Sequence, residues 1–277
     1  MAHHRSRRTP GSTAPALDPA RTALLVMDHQ PAILAFVPEG EDRNALLGGV
    51  EGAVVDVRAN GGTIAYVRVG FTGTDWDAIP ASNKSFAPLA RHRVMHHEAP
   101  AAAIHERLAP QDSDIVVRKT RYGGMSTTDL DQQLRERGIT TLVVSGISTS
   151  GAVLSTVIDA ADGDYRLHVL ADGVADPDTE VHDVLLHHVF PSRAHIIDTT
   201  ELRDIARHCG APVSLPSGRR RSAAIAVDER ACVRPTTRGR RTATVRVGRD
   251  RRPTRTWQSP RKARRCPLSP AGATGTG

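Results

Sequence analysis

Short continuous apolar runs alternate along this chain with longer stretches whose apolar positions recur at helical spacing. Thr22-Ala23-Leu24-Leu25-Val26-Met27 is an unbroken apolar run that stops at Asp28, the pattern of a strand buried on both faces. Over residues 42–59, Leu46, Leu47, Val50, Val54, Val55 and Val57 fall at mostly helical spacing, and Gly61-Gly62 ends that helix. Thr63–Val69 reads as a second strand. Residues 70–113, rich in Pro, Gly and His, predict a long excursion with short helices. Asp114–Arg118 predicts a third strand ending at Lys119, followed by a helix capped by Thr127 or Thr128 and closed by Gly138. A fourth strand over 140–145 leads into a helix from about 150 to 162. Arg166–Leu170 is a fifth strand ending near Asp172, then come a helix at about 178–190, a sixth strand at Ala194–Ile197 and a last helix at about 200–208. This β-α repetition predicts an α/β fold, a mostly parallel six-stranded sheet covered by helices on both faces.

Composition divides the chain into three parts. Residues 1–16 are polar and hold Pro10, Gly11 and Pro15, so a disordered arm is expected. Residues 17–213 carry the alternating pattern and are long enough to bury a sound core. Residues 214–277 lose all apolar periodicity, which predicts a disordered Arg/Pro/Gly-rich tail. The net charge of +7 belongs to the ends: residues 216–277 hold 16 Arg and one Lys against three acids, and the segment between arm and tail is net acidic. A basic tail on an acidic domain is a weak nucleic-acid signal, and a disordered extension or the product of a shifted reading frame fits its composition better.

The three cysteines, Cys209, Cys232 and Cys266, have no metal-ligand spacing and form no disulfide framework, which suits a reducing compartment. No apolar signal-peptide core precedes Leu24, and no run is long enough to span a membrane, so a cytoplasmic location is expected. His92, His96, His97 and His105 invite a metal reading, but a solvated helix face or loop is the better account, and neither metal nor cofactor is expected.

In a parallel sheet the carboxyl ends of the strands open on one edge, so residues that follow different strands converge there. Asp28, Lys119 and Ala152 are such residues, and Asp28 and Lys119 are expected within ion-pair distance beside the Ala152 methyl. Thr149 and Ser150 could serve as nucleophiles, although a hydroxyl at a helix start more commonly caps it. Arg121 could bind a substrate carboxylate or pair with an acid of the domain.

Four segments in order, Leu24–Gln30, Lys119-Thr120-Arg121-Tyr122, Gly146–Thr156 and Ala171–Asp176, together resemble the isochorismatase-like hydrolases, the cysteine hydrolase superfamily. The resemblance covers about residues 20–205 and implies a three-layer α/β/α, Rossmann-like fold. It also implies that Asp28 is the acid/base, Lys119 its electrostatic partner, and position 152 that of the nucleophilic cysteine, occupied here by Ala. Members with a small residue there hydrolyse a vinyl ether with the aspartate as general acid, which favours nucleophile-free chemistry on a small, anionic substrate. Ser148 and Ser150 stand where the true isochorismatases carry aromatic and His residues, so isochorismate itself is not the expected substrate. Arg121, Tyr122, Ile147, Ser148 and Gly151 are the expected substrate-binding residues. A cis peptide between Ile147 and Ser148 and a homo-oligomer are also expected. A catalytically inactive binding or scaffold protein of the same fold is the alternative.

Overall fold

The computed structural model describes residues 17–207. The expected arm (1–16), the end of the expected domain (208–213) and the expected tail (214–277) lie outside the described residues. The strands are β1 Thr22–Met27, β2 Thr63–Val69, β3 Ile115–Lys119, β4 Thr141–Ile147, β5 Arg166–Ala175 and β6 His195–Ile197. They form one sheet in the order β3-β2-β1-β4-β5-β6, and every neighbouring pair is parallel. The chain starts at the centre, runs outward to β3, and returns to the other side of β1 with β4. That reversal opens a crevice at the carboxyl ends of β1 and β4.

The helices are α1 Pro31–Leu34, α2 Glu41–Ala59, α3 Gly73–Asp77, α4 Ala87–His92, α5 Leu130–Glu136, α6 Leu154–Asp162, α7 Thr179–Val184 and α8 Thr199–Arg207. Glu41 and Asp42 in the first turn of α2 and Arg58 in its last complement the helix dipole. Alternate residues of β1 face opposite layers, as the two-residue period of a strand requires. Ala23, Leu25 and Met27 pack with Leu130, Leu134, Val153 and Val157 from the α5 and α6 side. Leu24 and Val26 pack with Leu46, Val50 and Val54 of α2 and Leu202 of α8. With every residue of β1 buried, the unbroken apolar run is explained by burial on both faces.

Three features depart from the sequence expectations. Strand β5 runs on to Ala175 through a bulge: Val144 pairs with Val169, but Gly146 pairs with Val174. Gly173 makes the bulge possible, because a Cβ there would lie 2.7 Å from the Leu170 Cβ. The Asp172 carboxylate, which looks like a strand terminator, accepts from the Thr199 backbone N–H and hydroxyl and fastens the start of α8. Second, the helix expected from about residue 150 begins with a π turn, Thr149–Val153, before α6. Third, the helix expected at about 178–190 gives way after Val184 to a π turn, Leu185–Val189. The 70–113 excursion holds the short helices expected of it and packs a small core of Phe71, Trp76, Ile79 and Phe86 against Val69.

Candidate functional site

Asp28 follows β1, Lys119 ends β3 and Ala152 sits in the π turn after β4, so all three meet at the carboxyl edge of the sheet. Lys119 Nζ lies 2.7 Å from Asp28 Oδ2, with the two side chains 3% and 4% exposed. The ammonium also donates to the carbonyls of Arg121 (3.2 Å) and Tyr122 (2.9 Å), which gives each of its three N–H groups an acceptor. Asp28 Oδ1 is buried without a hydrogen-bond partner among the described residues. Burial pushes the Asp28 carboxyl above the ordinary carboxylate range, and Lys119 offsets only part of that rise.

The backbone of Asp28 is left-handed, with φ 57°, a conformation Asp tolerates better than most residues. Gln30 anchors the loop that follows. Its side-chain carbonyl accepts from the Val69 N–H (2.9 Å), and its amide donates to the Val69 carbonyl (2.8 Å) and to the Ala102 carbonyl. Gln30 is wholly buried. Its anchoring role was not assigned from sequence, where nothing distinguishes a buried Gln at a strand end from a solvated one.

The turn carrying Ala152 is tied on three sides. The Ile147–Ser148 peptide is cis. Ser148 Oγ accepts from the Gly151 N–H (3.1 Å), so the capping hydroxyl is that of Ser148 rather than of Thr149 or Ser150. The buried Thr149 hydroxyl is bonded to His182 Nδ1 at 2.9 Å, and the Ser150 N–H donates to Asp176 Oδ2 at 2.7 Å. Gly146 lets the turn approach β1: a Cβ there would lie 2.8 Å from the Met27 Cβ and 3.1 Å from the Val153 Cγ2.

Asp28, Lys119, Arg121, Tyr122, Ser148 and Ala152 border one cavity of about 240 Å³. Ile147 lines it too, and Ile33, Phe36, Phe86, Leu89 and Pro177 supply further apolar wall. Gly151 is not on the wall; it packs behind it, where a Cβ would lie 2.8 Å from Ser148 Oγ and 3.1 Å from the Tyr122 ring. The Arg121 guanidinium lies over the Phe86 ring at 5.3 Å and donates to the Thr120 carbonyl at 2.6 Å. It has no carboxylate partner among the described residues, so of the two roles read from sequence, pairing with an acid of the domain is not seen.

Residues 22–201 match the isochorismatase domain family. The chain belongs to that family. An uncharacterized isochorismatase family protein of Escherichia coli, YecD, is 31% identical over 188 residues, 67% of this chain and 96% of that protein. The ureidoacrylate amidohydrolase RutB of Methylobacterium radiotolerans is 35% identical over 179 residues, 57% of this chain and 68% of that enzyme. The crystal structure of a cysteine hydrolase from Pseudomonas syringae pv. phaseolicola superposes with a TM-score of 0.64 at 22% identity, covering 73% of this chain and 99% of that one. That likeness establishes the isochorismatase-like three-layer fold.

Away from the cavity of this isochorismatase-family domain, His96, His97 and Glu98 bring one donor atom each within 4.8 Å of the others. They are successive residues and do not border the cavity. Asp75 is paired with Arg118 at 2.6 Å and closes a capping box with Thr72. Among the described residues, no helix is long and apolar enough to cross a membrane.

Proposed function

We propose that this isochorismatase-family chain hydrolyses a small, anionic molecule by Asp28 acid/base chemistry, with Ala152 standing where the family's cysteine stands. The observation that carries the reading is the buried Asp28–Lys119 pair at 2.7 Å on the wall of a largely apolar cavity. A carboxyl raised by burial holds a proton above the usual range and can give it to a substrate. Once the proton has left, Lys119 stabilises the carboxylate. Water then adds to the activated centre and its proton goes to Asp28; the tetrahedral adduct collapses, its C–N or C–O bond breaks, and the amine or alcohol leaves carrying the proton that Asp28 returns. The apolar walls keep other water away and strengthen each electrostatic contact inside.

Arg121, with no acid partner among the described residues, is proposed to hold the substrate's carboxylate. The relative named as a ureidoacrylate amidohydrolase supports amide cleavage on an anionic substrate. The Ser150 and Gly151 N–H groups are engaged by Asp176 and Ser148, so the Ala152 N–H, on the cavity-lining residue, is proposed to meet the developing negative oxygen.

A panel of small amide and vinyl-ether acids tests the proposal, with Asp28→Asn as control. Turnover that disappears in Asp28→Asn supports it, and turnover indifferent to Asp28 overturns it. One observation favours a second reading, binding without catalysis: position 152 offers only a methyl group. Saturable binding of panel members with no turnover would establish that reading instead.

A further inference from the structure

A second hollow of about 530 Å³ shares a wall with the first, formed by Phe86, Arg121 and Tyr122. The Tyr122 ring stands edge-on to Phe86 at 4.9 Å, and Arg121 covers the face of Phe86 at 5.3 Å. The hollow beyond is more polar than the inner cavity, with Asn83, Ser126, Ser155 and Asp159 among its lining residues. Among the described residues, the Asp159 carboxylate and the Ser126 and Ser155 hydroxyls make no hydrogen bond or ion pair, and no donor bond is seen from the Asn83 side-chain nitrogen. Asp159 and Arg121 therefore present one negative and one positive group on the same basin, neither with a partner of opposite charge among the described residues.

Gly123 keeps the basin open. Its backbone is not left-handed, so conformation does not call for glycine. A Cβ there would lie 2.9 Å from Asp159 Oδ2 and 3.2 Å from Ser126 Oγ, filling the space those two groups face. Charge complementarity narrows the ligand. A bare carboxylate suits Arg121 but is repelled by Asp159, and a bare amine suits Asp159 but is repelled by Arg121. A group carrying both charges suits both.

We propose that this basin is a second subsite for the ammonium- and carboxylate-bearing head of an amino-acid-like ligand. The ligand's apolar body enters the inner cavity between Phe36 and Phe86, Asp159 anchors the ammonium, and Arg121 anchors the carboxylate. This rests on the reading of the inner cavity as the substrate pocket, and it sets the substrate class as zwitterionic rather than simply anionic.

The test is binding alone, with L-phenylalanine and 3-phenylpropanoate as probes; they share ring and carboxylate and differ in the ammonium. Titration calorimetry at low salt on the full chain gives both dissociation constants for the wild type, Asp159→Asn and Gly123→Ala. L-Phenylalanine is expected to bind at least about fivefold more tightly than 3-phenylpropanoate, as a charge-assisted contact provides. Asp159→Asn, a nearly isosteric change, should erase that preference while leaving 3-phenylpropanoate bound, and Gly123→Ala should reduce it by displacing the carboxylate. Equal affinities in the wild type, a preference that survives Asp159→Asn, or no binding of either probe at millimolar concentration would overturn the subsite. Because turnover is not read, failure of the hydrolytic reading leaves this result intact. Equal affinities, in turn, leave the role of Asp28 untouched.

Discussion

Lys119 Nζ lies 2.7 Å from Asp28 Oδ2, and among the described residues each buried partner is the other's only ionic compensation. Removing either one leaves a charged or polar group stranded, which costs roughly 3–5 kcal/mol in buried pairs. Asp28→Asn and Lys119→Met should each lower stability on that scale. The double variant should lose less than the sum of the two, because the second change removes the stranded group. Urea unfolding of the three variants checks this. Additive losses would mean that the pair is not coupled.

Activity should fall as pH rises through the Asp28 pKa, since the protonated carboxyl is the proposed donor. That limb should lie above the ordinary carboxylate range because burial raises the group. Lys119→Met removes the main opposing influence and should move the limb further toward alkaline pH. Profiles of kcat/KM against pH for both proteins decide it, and an acid-ward movement would contradict the assigned electrostatics. For stability the sign is the same. A raised carboxyl binds more protons in the folded state, so its contribution is present at low pH and lost as pH rises through the folded pKa.

His168 gives a dependence of opposite sign. It is fully buried, neither ring nitrogen has a hydrogen-bond partner among the described residues, and its ring lies 5.2 Å from that of His195. Burial first, then the neighbouring His195 and Arg166, hold its pKa down to about 4. Between about 4 and the ordinary value of 6.5 the unfolded chain binds more protons, so stability should decline as pH falls through that window. The slope from this residue approaches about 1.4 kcal/mol per pH unit. His168→Phe should flatten the decline in urea titrations from pH 7 to pH 4. An unchanged slope would show that other groups set it.

Ala152→Cys should place a thiol on the cavity wall beside the cationic Lys119 and at the start of the α6 segment. Both influences favour the thiolate. Alkylation by iodoacetamide at pH 7 should run faster than for a free thiol. Slower reaction would mean that the cavity is closed to the reagent or that the thiol faces away from Lys119.

Gly146→Ala tests the seat of the turn. The new methyl would meet the Met27 Cβ at 2.8 Å and the Met27 carbonyl at 3.1 Å, and neither is the free end of a flexible chain. A loss of about 1–3 kcal/mol is expected, measurable as a lowered urea midpoint. A neutral substitution would show that the turn can shift without strain.

The chain's alternating pattern announces the strands because a strand buried between two helical layers must be apolar on both faces, as β1 is. It also places Asp28, Lys119 and the 148–152 turn at strand ends, and parallel pairing brings those ends to one edge. Where a polar residue interrupts the run, the reading falters. Asp172-Gly173 looks like the end of β5, yet Gly173 permits a bulge and Asp172 bonds to Thr199, so the strand continues to Ala175.

Sequence by itself thus determined the order of elements, the parallel sheet and the three residues at its carboxyl edge, since burial periodicity and chain direction are local properties. Only the tertiary structure decided that Phe86 and Leu89 of the 70–113 excursion wall the cavity. It alone showed Gln30 anchoring the loop after Asp28, and Arg121 without an acid partner among the described residues. These are contacts between segments far apart along the chain. They are set by how packed layers bring side chains together, and no periodicity within either segment records them.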